Sequence, residues 1–162
     1  MTDPLEISSE EPAGLEALMA RADGTDSDTI EATEPPKASK STTRALTRRG
    51  ILRAKSGDLA GAIEDYSEAL QFADDHLPAL ANRGVAHFHS GNFDAADVDC
   101  SKALRIAPKL AKAWLVRGLA RAKVGLDREA EEDLLRYVDL APSSNYIGVV
   151  RKTLRELERK SA

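Results

Sequence analysis

The residues best equipped for chemistry in this chain are three arginines and three aspartates that recur at one spacing. Arg49, Arg83 and Arg117 stand 34 residues apart, and so do Asp65, Asp99 and Asp133. A guanidinium and a carboxylate form bidentate, charge-assisted pairs. The pattern therefore predicts Arg49 with Asp65, Arg83 with Asp99 and Arg117 with Asp133, each pair fixing the register of one helical hairpin. If such pairs are partly exposed, each contributes about 0.2 to 1 kcal/mol.

Other reactive side chains do not assemble into a catalytic set. His87 and His89 are two positions apart on a helical stretch, which turns them to different faces and prevents them from sharing a metal. His76 lies beside Asp74 and Asp75 in a segment that reads as a turn. Cys100 has no base near it by spacing, so it reads as a small buried residue rather than a nucleophile. A glycine-rich phosphate loop is missing. The expectation is no catalytic residue, no metal and no cofactor, hence a protein that is not an enzyme.

The elements that must position these charges are helices. Hydrophobic residues make up 42% of the 162, and only 3 Phe, 3 Tyr and 1 Trp are present, which leaves leucine and alanine as the packing residues. The single cysteine cannot form an internal disulfide, which suits a reducing compartment. The start, MTDPLEISSEEP, has neither the basic nor the apolar stretch of a secretory signal, and no run of apolar residues is long enough to span a bilayer. A cytoplasmic protein without membrane contact is expected. Residues 1–40 carry ten acids against Arg21, Lys37 and Lys40, a net of 3 − 10 = −7. With −4 overall, the remainder carries +3, far from the basic character of a nucleic-acid binder. The stretch 1–41 reads as a disordered acidic tail, except that Leu15, Leu18, Met19 and Ala22 in PAGLEALMARA share one helical face.

From 42 to 162 the chain repeats itself. The step of 34 relates Gly50, Gly84 and Gly118; Gly57, Gly91 and Gly125; Ala62, Ala96 and Ala130; and Leu46, Leu80 and Trp114. A mid-helix glycine costs on the order of 1 kcal/mol against alanine, so the first column implies close approach of a second helix, with Ala62, Ala96 and Ala130 as the expected facing surface. Gly57, Gly91 and Gly125 are expected to cap helices in the left-handed conformation. Pro108 and Pro142 should end second helices, and Asp74, standing where the first unit lacks that proline, suggests a looser turn. Helices are expected at about 44–56, 59–73, 78–90, 94–107, 111–124, 127–141 and 144–160, giving units at 43–76, 77–110 and 111–144 and a capping helix.

The units LTRRGILRAKSGDLAGAIEDYSEALQFAD, LANRGVAHFHSGNFDAADVDCSKALRIAP and WLVRGLARAKVGLDREAEEDLLRYVDLAP resemble the tetratricopeptide repeat, across about three quarters of the chain. Arg53, His87 and Arg121 depart from its usual aromatic, and Tyr137 replaces the small Ala69 and Ala103. The resemblance implies an all-α, right-handed solenoid that works as a scaffold or adaptor, holding a partner peptide or helix in a groove lined by the first helices. Carried onto this chain, that groove comprises Arg44, Thr47, Ile51 and Ala54, then Ala81, Val85 and Phe88, then Lys112, Leu115, Leu119 and Ala122. The carboxylate clamp of some relatives is expected at Thr47, Ile51, Asn82, Lys112 and Val116, where only Asn82 and Lys112 match, so a chaperone adaptor of that type is not expected. A monomer is expected, with self-association through the repeat surface as the alternative. Leu15, Leu18 and Met19 could visit the surface around Val85 and Leu115, against the alternative of an inert tail.

Overall fold

The computed structural model describes residues 40–161, so the acidic tail and its amphipathic stretch at 12–22 lie outside the described residues. The described chain is entirely helical: α1 (Lys40–Lys55), α2 (Leu59–Phe72), α3 (Leu77–His89), α4 (Phe93–Ile106), α5 (Ala111–Val124), α6 (Asp127–Leu140) and α7 (Ile147–Ser161). Three hairpins, α1 with α2, α3 with α4 and α5 with α6, stack in order. Within the stack α2 packs on α3 and α4 on α5, while the first helices also touch one another in sequence and α7 closes the far end on α6 and α5.

Each hairpin turn rests on the glycine column at its tip. Gly57, Gly91 and Gly125 have φ of 86°, 78° and 83°, a left-handed conformation that costs a side-chain-bearing residue dearly. The turns between units share another device. His76, Leu110 and Ser144 donate their backbone amides to the carbonyls of Ala73, Ala107 and Ala141 at 3.1, 3.0 and 3.1 Å. The first inter-unit turn is thus as tight as the others. Asp74 does not loosen it, because the closing bond uses residues on either side of the missing proline, and Pro78 starts α3 where an amide donor is not needed.

The close approach expected at Gly50, Gly84 and Gly118 is present, but its partner differs from the expectation. A methyl group at Gly50 would lie 2.6 Å from the ring of Tyr66, at Gly84 2.8 Å from the Cys100 sulfur, and at Gly118 2.9 Å from Leu134. The facing column is therefore Tyr66, Cys100 and Leu134, four positions beyond the alanines. The alanines themselves are fully buried and let the helices close. Tyr137 goes to the cap: its hydroxyl donates to Ser144, whose Oγ also accepts from the Tyr146 amide at 3.2 Å. That bonding keeps 144–146 in a turn, and α7 begins at Ile147 rather than 144. Ile147, Val150 and Leu157 are buried against Tyr137 and Leu134, with Leu154 packed at their edge.

All three arginine–aspartate pairs form, each bidentate. Arg49 Nε and Nη2 donate to Asp65 at 2.9 and 2.7 Å, Arg83 to Asp99 at 2.7 and 2.7 Å, and Arg117 to Asp133 at 2.8 and 2.7 Å. The aspartates are only 1 to 2% exposed. These are buried carboxylates, and the small surface-pair magnitude does not apply to them. The irregular column Arg53, His87 and Arg121 supplies a second layer of donors: Arg53 Nη1 reaches Asp65 and Arg121 Nη1 reaches Asp133, each at 3.0 Å, and His87 Nε2 lies 4.0 Å from Asp99.

Asp133→Ala removes the carboxylate while Arg117 keeps its largely buried guanidinium, so urea unfolding should show a loss of about 3 to 5 kcal/mol. A loss under about 1 kcal/mol would return the pair to the surface class. Gly50→Ala should also destabilise. Overpacking against the ring of Tyr66 costs about 1 to 3 kcal/mol and outweighs the gain of about 1 kcal/mol in helix propensity; a rise in the urea midpoint would contradict the tight contact.

Candidate functional site

The first helices α1, α3 and α5 lie side by side, and the residues expected to line their shared face divide sharply by burial. Val85 is wholly buried, Ala54, Ala81 and Leu115 are within 2% of it, and Thr47, Ile51 and Leu119 expose 4 to 8%. Thr47 turns its hydroxyl back to the Thr43 carbonyl at 2.8 Å. Ile51, Ala54, Val85, Leu115 and Leu119 belong to the two core clusters that run through the stack. Arg44 is exposed, and Phe88, Lys112 and Ala122 are partly accessible. Phe88 is held edge-on by His89 and Phe93, with ring centroids 5.6 and 5.5 Å away.

One polar pair on this face crosses between units. Lys112 Nζ on α5 donates to Asn82 Oδ1 on α3 at 2.8 Å. Asn82 is fully buried, and its amide nitrogen Nδ2 has no hydrogen-bond acceptor. The lysine settles which end of the amide is oxygen, since an ammonium has only donors. A buried donor without an acceptor costs about 1 to 3 kcal/mol, and among the described residues Asn82 Nδ2 shares that state with Tyr66 Oη and His87 Nδ1. On α1 the residues in step with Lys112 and Asn82 are Arg44 and Arg48, 68 and 34 positions earlier, and both are exposed. Arg44 and Arg48 on α1 and Lys112 on α5 are thus the basic residues that the first helices leave exposed or partly accessible at these positions.

The remaining reactive groups are quiet. Burial, then the neighbouring Asp99, pushes the Cys100 thiol up to about 12, so it stays protonated and carries no nucleophilic character at neutral pH. Among the described residues no cluster of three His, Cys, Asp or Glu side chains could hold a metal ion, and no helix is long and apolar enough to cross a membrane.

Three stacked hairpins, a periodic glycine contact and a periodic buried pair define an α-solenoid of the tetratricopeptide type. Residues 77–110, the second unit, match the family profile described as tetratricopeptide repeat. Solved structures agree over the whole described region. The first tetratricopeptide domain of Spaghetti (RPAP3), bound to the HSP90 peptide SRMEEVD, has a TM-score of 0.70 at 24% identity, covering 78% of this chain and 98% of that one. The Arabidopsis OM64 tetratricopeptide domain has a TM-score of 0.69 at 25% identity, covering 74% and 96%. The second tetratricopeptide domain of human RPAP3, in complex with the HSP70 peptide SGPTIEEVD, has a TM-score of 0.66 at 24% identity, covering 73% and 96%. Among curated protein sequences none matches the chain significantly.

The three histidines provide a test of packing around this face. Burial lowers the pKa of His76, His87 and His89 from the ordinary value, so each is neutral when folded and takes up a proton more readily when unfolded. Their contribution to stability is present above the unfolded pKa of about 6.5 and is lost as pH falls below it. The melting temperature should therefore drop between about pH 7.5 and 5.5, and His89→Gln should flatten the profile. An unchanged slope in that variant would show that His89 is solvated.

Proposed function

We propose that the chain is a non-catalytic protein-interaction module, residues 42–162, that holds an acidic peptide of a partner protein on its first-helix face, in the manner of an adaptor in the cytoplasm. The observation that supports this is the partly accessible ammonium of Lys112, held in place by the buried Asn82 Oδ1 at 2.8 Å. A peptide carboxylate that accepts from Lys112 Nζ makes a charge-assisted bond, about twice as strong as a neutral one. Arg44 and Arg48 add positive charge on α1 for further acidic side chains, while Phe88 and Ala122 offer the apolar surface that a peptide side chain can cover. The domains that share the fold in complex with SRMEEVD and SGPTIEEVD support the same assignment, since both peptides are acidic at their C-terminal end. The buried residues Val85, Leu115 and Ile51 act by shaping this face, not by touching the ligand.

Calorimetric titration of the full chain with SRMEEVD and SGPTIEEVD tests the reading. At least one should bind, Lys112→Ala should weaken it at least tenfold, about the value of one charge-assisted hydrogen bond, and amidation of the peptide C-terminus should weaken it similarly. If neither peptide binds, or binding ignores both Lys112→Ala and amidation, the carboxylate site is rejected.

A further inference from the structure

Comparing the three units position by position isolates a second surface, at the open edge of α1. Ala79 and Ala113 are buried, as are Ala86 and Ala120, each pair lying against the unit before it. Their counterparts on α1, Ala45 and Leu52, are exposed, Leu52 to 66%. The arginine column shows the same contrast. Arg83 Nη1 donates to Ser67 Oγ on α2, and Arg117 Nη1 to Ser101 Oγ on α4, each at 3.0 Å and each on the second helix of the preceding unit. Among the described residues no unit precedes α1, and Arg49 is 54% exposed against 20% and 14% for Arg83 and Arg117. An open pocket of about 430 Å³ lies at this edge, lined by Ser41, Thr42, Ala45, Leu46 and Arg49. In its place the other units carry the second helix of a neighbour.

We propose that the amphipathic segment 12–22 of this same chain docks on the α1 edge as a helix and takes the place of that missing neighbour. Charge selects the occupant. Asp65 already pairs Arg49 and Arg53, which leaves Lys40, Arg44, Arg48 and Lys55 exposed on an α1 with no acidic residue, whereas residues 1–39 carry ten acids against Arg21 and Lys37. A second copy fits poorly. Two α1 edges repel each other, and the outer face of α7, with Arg151, Lys152, Arg155 and Arg159 exposed, is basic as well. The segment supplies Leu15, Leu18 and Met19 on one face for the pocket and Leu52; Glu16 and Arg21 balance within it, and its negative surroundings come from the flanking Glu10, Glu11 and Asp23. Val85 and Leu115 are buried and offer it no contact on the first-helix face. Reach is sufficient. The seventeen residues 23–39 can span up to about 58 Å, well over the about 24 Å length of α1.

Hydrogen–deuterium exchange on the full chain tests this. Amides of 12–22 should exchange roughly tenfold slower than in the isolated peptide, independently of protein concentration, and should lose protection as salt rises from about 0.05 to 0.5 M. The double variant Ala45→Glu with Leu52→Asp alters only exposed positions and should abolish protection, while Phe88→Asp should leave it intact. Circular dichroism confirms that each variant remains helical. No protection in the unaltered chain overturns the proposal. So does protection lost in Phe88→Asp but kept in the double variant, which would place the segment on the first-helix face, or protection that grows with concentration, which would make the occupant another copy.

Discussion

A buried carboxylate that must find its guanidinium is the constraint on which this fold hangs. Asp65, Asp99 and Asp133 are almost wholly removed from water, and an unpaired charge there costs several kcal/mol. Only one register of each hairpin brings Nε and Nη2 of the arginine sixteen residues earlier onto both carboxylate oxygens. A slip of one residue turns the aspartate through about 100° of helix and strands it. The glycine at the next position after each arginine serves the same geometry. By omitting a side chain it lets the second helix come near enough for a short arginine to span the gap, and Tyr66, Cys100 or Leu134 then fills the contact. Hydrophobic burial supplies most of the stability, while the pair decides which of several comparably apolar packings is adopted.

The constraint also propagates between units. Nη1 of Arg83 and Arg117, the nitrogen not used on the aspartate, bonds a serine of the preceding unit. One side chain thus sets both the register inside a hairpin and its seating on the next. The substitution of the usual aromatic by Arg53, His87 and Arg121 adds donors around the same carboxylates. Arg121 also reaches Asp97 at 3.1 Å, tying α5 to α4 as well as to α6. The array resembles a ladder of charge contacts embedded in an alanine-rich core.

How far this was legible in the sequence follows from what a repeat step can encode. A period of 34 says which positions are equivalent, so the helices, the left-handed glycine tips and the three ion pairs could be read directly. It does not say what covers a position. Val85 and Leu115 look like ligand-facing residues because their columns face inward, yet neighbouring first helices approach closely enough to bury them. The glycine contact was assigned to the alanine column because alanine is small, whereas the larger residue four positions on is what the missing side chain makes room for. The start of α7 at Ile147 was not readable, because it depends on Tyr137 reaching Ser144 across a turn.

A solenoid has two ends, and its repeats alone cannot finish either of them. At the α7 end the chain carries its own answer, an apolar stripe of Ile147, Val150 and Leu157 facing the stack and charge facing outward. At the α1 end the corresponding positions carry Ala45 and Leu52 ringed by arginine and lysine, a surface neither polar enough to be a finished cap nor apolar enough to stack on its own likeness. Its positive charge raises the cost of stacking with either basic end of another copy and favours an occupant flanked by acids instead. The chain that leads into α1 is acidic and carries one amphipathic stretch within reach. The acids that flank that stretch, Glu10, Glu11 and Asp23, answer in charge the basic residues of α1 that Asp65 does not already pair.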